Sequence, residues 1–163
     1  MTYTITTILN QSFTCECIGC DIASGRIVPP GGVIAETEHF ILHQDPEVPI
    51  RAFFIVASKA HIQSMDQMSA AEARECFDLV YQARKIQSQL GGISEVLVIQ
   101  EERSEHFHLW LLPRYTWMDE LFTNSLTTVR EMLKYAREHR RSEDDIKKIL
   151  ETVKRSRELW TLA

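Results

Sequence analysis

The chain has 163 residues, 44% of them hydrophobic and 25% charged, with a formal net charge of −5. That is enough for one domain with a full core and an added subdomain. It holds no apolar run of 18 residues and no secretory signal pattern over 1–10, so neither a membrane span nor export is predicted. The charge is uneven. Residues 1–117 hold 8 Lys and Arg against 14 Asp and Glu, while 118–163 hold 10 against 9. An acidic main domain argues against sequence-independent nucleic-acid binding.

In chain order, Tyr3 to Leu9 is Thr-rich and weakly alternating, which reads as a strand. Pro29 to Gly32 is a turn. Val33 to Glu36 and Phe40 to His43 read as short strands, and Pro46 to Pro49 breaks the pattern. Ala52 to Ala57 is an apolar strand for the sheet centre. Ser69-Ala70-Ala71-Glu72 is a capping box. The helix it opens places Ala73, Phe77, Val80, Ala83 and Leu90 largely on one side and ends at Gly91-Gly92. Val96 to Ile99 is a further strand. Glu105 to Arg114 alternates with period two, so His106, His108 and Trp110 share one face and Phe107, Leu109 and Leu111 the other. Strands grouped around one long helix predict an α+β antiparallel meander.

The C-terminal segment differs. Val129, Met132, Leu133 and Ala136 make one amphipathic helix. Ser142 to Asp145 opens a second, striped by Ile146, Ile149, Leu150, Val153 and Trp160. The predicted division is a main domain at 1–117 and a helical hairpin at 118–163. Arg130, Lys134, Arg137 and Arg141 recur at helical spacing, as either a solvated basic face or a contact for an anionic ligand or partner.

Three of the four cysteines, Cys15, Cys17 and Cys20, crowd into six residues; the fourth is Cys76, inside the main helix. That pattern suits metal ligation in a reducing cytoplasm better than a disulfide framework. Cys17-x2-Cys20 is half a zinc site by spacing, with Cys15 as the substitute ligand in another register. A rigid pair of imidazoles on one strand suits metal ligation or nucleophilic chemistry at neutral pH.

His106-Phe107-His108-Leu109-Trp110 followed by Leu111-Leu112-Pro113-Arg114 resembles the His-x-His-x-His motif of the histidine-triad (HIT) superfamily, with Trp110 in place of the third histidine. Cys17-Ile18-Gly19-Cys20-Asp21-Ile22-Ala23-Ser24-Gly25 is similar to the opening of many bacterial members. Lys59-Ala60-His61 resembles the family's Lys-x-His, and Asp45 falls where the family has a ribose-holding acid. The pieces come in family order over residues 15–115.

The resemblance implies an α+β HIT-like sheet with one main helix, a homodimer, and a structural zinc held by Cys17, Cys20, His61 and His106. It implies that His108 attacks the α-phosphorus of a purine nucleotide, in a dinucleoside polyphosphate or a nucleoside phosphoramidate, through a covalent nucleotidyl-histidine. Asp45, Arg103, Ser104 and Trp110 would line the substrate site. Two departures stand out. An indole cannot shuttle a proton as the third histidine can. The loop Gln100 to Glu105 is acidic and free of glycine where family hydrolases cradle phosphate. Both departures favour a second reading, a nucleotide-binding or interaction protein without turnover.

Overall fold

A computed structural model describes residues 2–161. Seven strands and five α-helices follow in order: β1 (Tyr3–Thr6), β2 (Ser12–Cys15), α1 (Ile18–Ala23), β3 (Ala35–Glu36), β4 (Phe40–Gln44), β5 (Phe54–Ser58), α2 (Ala70–Gln89), β6 (Glu95–Gln100), β7 (His108–Arg114), α3 (Thr116–Leu121), α4 (Val129–His139) and α5 (Glu143–Thr161). β1 and β2 form a separate hairpin. The other five make one sheet in the order β3-β4-β5-β7-β6, and every pairing is antiparallel.

Side chains alternate across the strands, so the sheet has two distinct faces. On one, Phe40, Leu42, Phe54, Val56, Leu109 and Leu111 pack against Cys76, Leu79, Ala83 and Ile86 of α2. On the other, Ile41, Phe53, Ile55, Ala57 and Leu112 pack with Ile22 of α1, Met118 of α3, and Met132, Leu133 and Ala136 of α4. β4 and β5 are therefore buried throughout, because helices cover both sides. The register sets His43, Ile55 and Trp110 in one row across the second face, and Ile41, Ala57 and His108 in the next.

The α2 capping box forms as the sequence implies. Ser69 Oγ accepts the Glu72 amide, and Glu72 accepts the Ser69 amide. The buried stripe is Cys76, Leu79, Val80, Ala83, Ile86 and Gln87. Phe77 is not part of it: it lies one residue, about 100°, off Cys76 and is 52% exposed. Buried Gln87 is satisfied, its amide donating to the carbonyls of Ala52 and Leu111.

α4 and α5 follow each other as the hairpin reading expects, but their stripes go to different places. α4 closes the second face of the sheet, while Val153 and Leu159 of α5 join the α2 core. Arg114 fixes the junction. Its buried guanidinium donates to Asp119 at 2.6 and 3.1 Å and to the Met132 sulfur at 3.6 Å, tying α3 and α4 to the end of β7. The sequence reading misses β2, α1 and α3. It also begins the histidine strand three residues early, because Glu105 turns the chain through a left-handed conformation (φ 58°) just before it.

Candidate active site and metal centre

The Cys-x2-Cys segment folds as a knuckle into α1. Cys17 is the extended N-cap residue, and its sulfur accepts the Cys20 amide at 3.4 Å. The β1–β2 hairpin braces this turn. Tyr3 Oη accepts the Ile18 amide, and Arg26 ties Asp21 to the Thr14 carbonyl. Gly19 lies flat against an imidazole: a Cβ there would stand 2.4 Å from His106 Cδ2.

That close approach lets four donors converge. His106 Nδ1 lies 3.2 Å from Cys17 Sγ, 3.6 Å from Cys20 Sγ and 3.4 Å from His61 Nδ1, and Cys20 Sγ lies 3.2 Å from His61 Nδ1. All four donor atoms fall within 4.8 Å of one another. Bond lengths of ~2.3 Å to sulfur and ~2.0 Å to nitrogen at tetrahedral angles put ligand atoms ~3.3–3.8 Å apart. The four spacings given above match within a few tenths of an ångström, and the whole set lies within 4.8 Å. His106 Nε2 donates to the Ser58 carbonyl at 2.8 Å. That bond puts the proton on Nε2 and leaves the Nδ1 lone pair for a metal. Four such ligands would close a tetrahedral shell and leave no open position for reacting water. Cys15 is buried and points into the core with Ile5 and Ile22, outside this cluster.

Two residues on, the His106 carbonyl accepts from His108 Nδ1 at 3.0 Å. The same carbonyl accepts from Ser104 Oγ at 2.9 Å. The proton of His108 is thereby fixed on Nδ1, and Nε2 keeps its lone pair with no protein partner among the described residues. Burial lowers the His108 pKa, so the ring is neutral near pH 7. His108 lines a cavity of about 400 Å³ bounded by α1, the β4–β5 connection, the loop before β7, and α4.

The other sequence-predicted residues gather around this cavity: Asp45, Arg103, Ser104 and Trp110 all line it. Asp45 Oδ1 accepts the amides of Glu47 and Val48 at 2.9 and 2.7 Å, which shapes the turn after β4 and leaves Oδ2 unpartnered among the described residues. Ser104 spends its proton on main-chain carbonyls and offers the cavity only lone pairs. Trp110 packs edge-on to Phe53 and lies 6.1 Å from the His108 ring.

The acidic loop is less repulsive than its sequence implies. The Glu101 carboxylate is held by Arg130 of α4 at 3.0 and 3.3 Å. Glu102 accepts from Ser64 Oγ at 2.8 Å. Of the loop's three carboxylates, only Glu105 lines the cavity, next to Arg103.

Several lining residues escape the sequence reading of the site, and three of them bear on its chemistry. His43 is 2% exposed, its Nδ1 donates to the Gln44 carbonyl at 2.8 Å, and burial pushes its pKa down to about 4. It reads as one more residue of an apolar strand, and only the register places it beside Trp110. Glu47 enters through the Pro-flanked turn. Arg137 reaches in from α4, which identifies one member of the basic run as a site residue.

The geometry defines a class of fold: a five-stranded antiparallel sheet with the long helix α2 on one face, joined by α5, and a pair of histidines at the start of an inner strand. This is the histidine-triad fold. Among solved structures, the chain is similar to a HIT family member from Bacillus subtilis (TM-score 0.58, 19% identity, 86% of this chain and 96% of that one). It is similar to a hypothetical histidine triad nucleotide-binding protein from Sulfolobus tokodaii (TM-score 0.58, 16% identity, 85% and 92%). It is also similar to a Zn-bound histidine triad family protein from Mycobacterium smegmatis (TM-score 0.50, 18% identity, 91% and 98%). No protein-family model matches the sequence, and no curated protein matches it.

Proposed function

We propose that the chain is a nucleotidyl hydrolase or transferase acting at the α-phosphorus of a purine nucleotide, with His108 as nucleophile. The observation that carries this reading is the fixed tautomer of His108: Nδ1–H is held by the His106 carbonyl, and an unpartnered Nε2 belongs to a cavity-lining ring. Nε2 attacks the α-phosphorus, the bond to the leaving group breaks, and a nucleotidyl-histidine forms. Water then attacks the same phosphorus, the N–P bond breaks, and the monophosphate leaves with His108 neutral again. A phosphate leaving group departs as an anion; an amine takes its proton from solvent. Arg103 donates to the phosphate oxygens, and the indole N–H of Trp110 adds one donor. Asp45 Oδ2 and His43 Nε2 are acceptors for ribose hydroxyls.

Cys17, Cys20, His61 and His106 would hold a structural zinc, whose contribution is to fix His106 and the strand that follows. The donor spacing and the Ser58 contact support that choice. The chain works as a homodimer in this reading. β6 is a free sheet edge, Val98 on it is 50% exposed, and Phe77 and Tyr81 of α2 are 52% and 62% exposed.

The test is a panel of adenosine and guanosine dinucleoside polyphosphates and phosphoramidates, scored for release of the monophosphate. Turnover that His108→Ala abolishes, with affinity kept within about tenfold (~1.4 kcal/mol), is the expected result. Binding without turnover of any member leaves the second reading, a nucleotide-binding protein, which Trp110 favours because an indole cannot protonate a leaving group.

A further inference from the structure

Glu47 and Arg137 carry opposite charges into the same cavity, and the fold uses neither. Glu47 stands in the Pro46–Pro49 segment joining β4 to β5. Its amide donates to Asp45, but its carboxylate has no hydrogen bond or ion pair among the described residues. It is half-buried; burial and the neighbouring Asp45 raise its pKa and Arg137 opposes that rise, as it does for Asp45, so Arg137 is within electrostatic reach of both carboxylates. Arg137 is the odd member of the basic run on and just after α4. Arg130 is taken by Glu101, Lys134 by Glu138, and Arg141 by the Thr7 carbonyl. Arg137 has no polar partner among the described residues, and no ion pair joins it to Glu47. The half-buried Glu47 carboxylate and the exposed Arg137 guanidinium share the cavity without pairing, so both are free to meet a ligand there.

The surroundings fix the shape of that ligand. Ile18 and Ile22 of α1 supply one apolar wall, and Ile55 and Ala57 of the sheet supply the floor. A flat ring can lie against this apolar lining with its polar edge toward the two charges. Guanine presents N7 and O6 as acceptors and, next to them, N1–H and the N2 amino group as donors. Adenine sets the N1 lone pair against a carboxylate. We infer that the cavity reads guanine, with the Glu47 carboxylate accepting from N1–H and N2–H and the Arg137 guanidinium donating to O6 and N7. The inference rests on the nucleotide reading and names the base it takes.

Titration calorimetry of the full-length chain with GMP, IMP and AMP tests it. GMP is expected to bind at least tenfold more tightly than AMP, with IMP, which lacks the amino group, between them. Glu47→Gln is the sharper arm. A carboxamide accepts from the adenine amino group and donates to N1, so the GMP preference should vanish or invert. Arg137→Met should weaken GMP more than AMP. GMP and AMP binding within threefold of each other in the wild type, or a GMP-to-AMP ratio unchanged by Glu47→Gln, overturns the guanine assignment and leaves the nucleotide reading standing. Equal losses for all three nucleotides in Arg137→Met would make Arg137 a phosphate contact and also overturn it. Failure of all three to bind removes the nucleotide reading, and this inference with it.

Discussion

Gly19 shows how one missing methyl shapes the centre. The His106 ring occupies the space a side chain would need, its atoms standing 2.4–2.6 Å from where a Cβ would sit, so α1 and His106 can approach only through glycine. Gly19→Ala is expected to displace the ring and weaken metal binding by about 10–100-fold, the usual cost of disturbing a ligand's support. Competition against a chromophoric chelator measures this; unchanged affinity would mean that His106 is not a ligand. His43 tells a different story at the same scale. Its folded pKa of about 4 lies below the ordinary 6.5 because burial disfavours the charged ring. Between those values the unfolded chain binds more protons, so stability is full above about pH 6.5 and falls as pH drops toward 4. Denaturant unfolding of His43→Gln should lose part of that slope, and a slope equal to wild type would contradict the burial argument. His106 and His108 are legible in the sequence because period-two alternation exposes them. His43 is not, because a lone histidine among Phe, Ile and Leu carries no periodic signal; cross-strand register alone gives it neighbours.

Elements with strong local signals are readable, and their destinations are not. The α2 capping box forms, and at the predicted start of α5 Ser142 and Asp145 exchange side-chain and amide contacts. The stripes of α4 and α5 are visible as 3.6-residue repeats, yet periodicity does not say which surface a stripe covers. β2, α1 and α3 are short and polar or irregular, held by tertiary partners more than by propensity. The contact of α4 with the loop before β7 has a functional consequence. Arg130 neutralises Glu101, whose charge otherwise faces His108. The pair is 69% and 37% exposed, so its worth to stability is small, under about 1 kcal/mol. Arg130→Gln is therefore expected to leave the melting temperature within a degree or two while slowing turnover of polyphosphate substrates several-fold. Equal turnover at low and high salt in both proteins would remove the loop's electrostatic role.

At the scale of the molecule, the sheet is closed on both faces by helices and open at the β6 edge. No helix among the described residues is long and apolar enough to cross a membrane. Homodimerisation through the β6 edge and α2 predicts a solution mass twice the 18.9 kDa of the chain. Tyr81→Glu combined with Val98→Lys should halve it in light scattering; a wild type that already runs as one chain would contradict the pairing. The central claim is that His108 becomes covalently nucleotidylated, and intact-mass spectrometry after an alkaline quench tests it most directly, since a phosphoramidate survives base better than acid. The account predicts a mass increase of one nucleotidyl unit in wild-type protein mixed with its best substrate, and none in His108→Ala. Retention of that label in His108→Ala, or turnover by that variant at the wild-type rate, would contradict it.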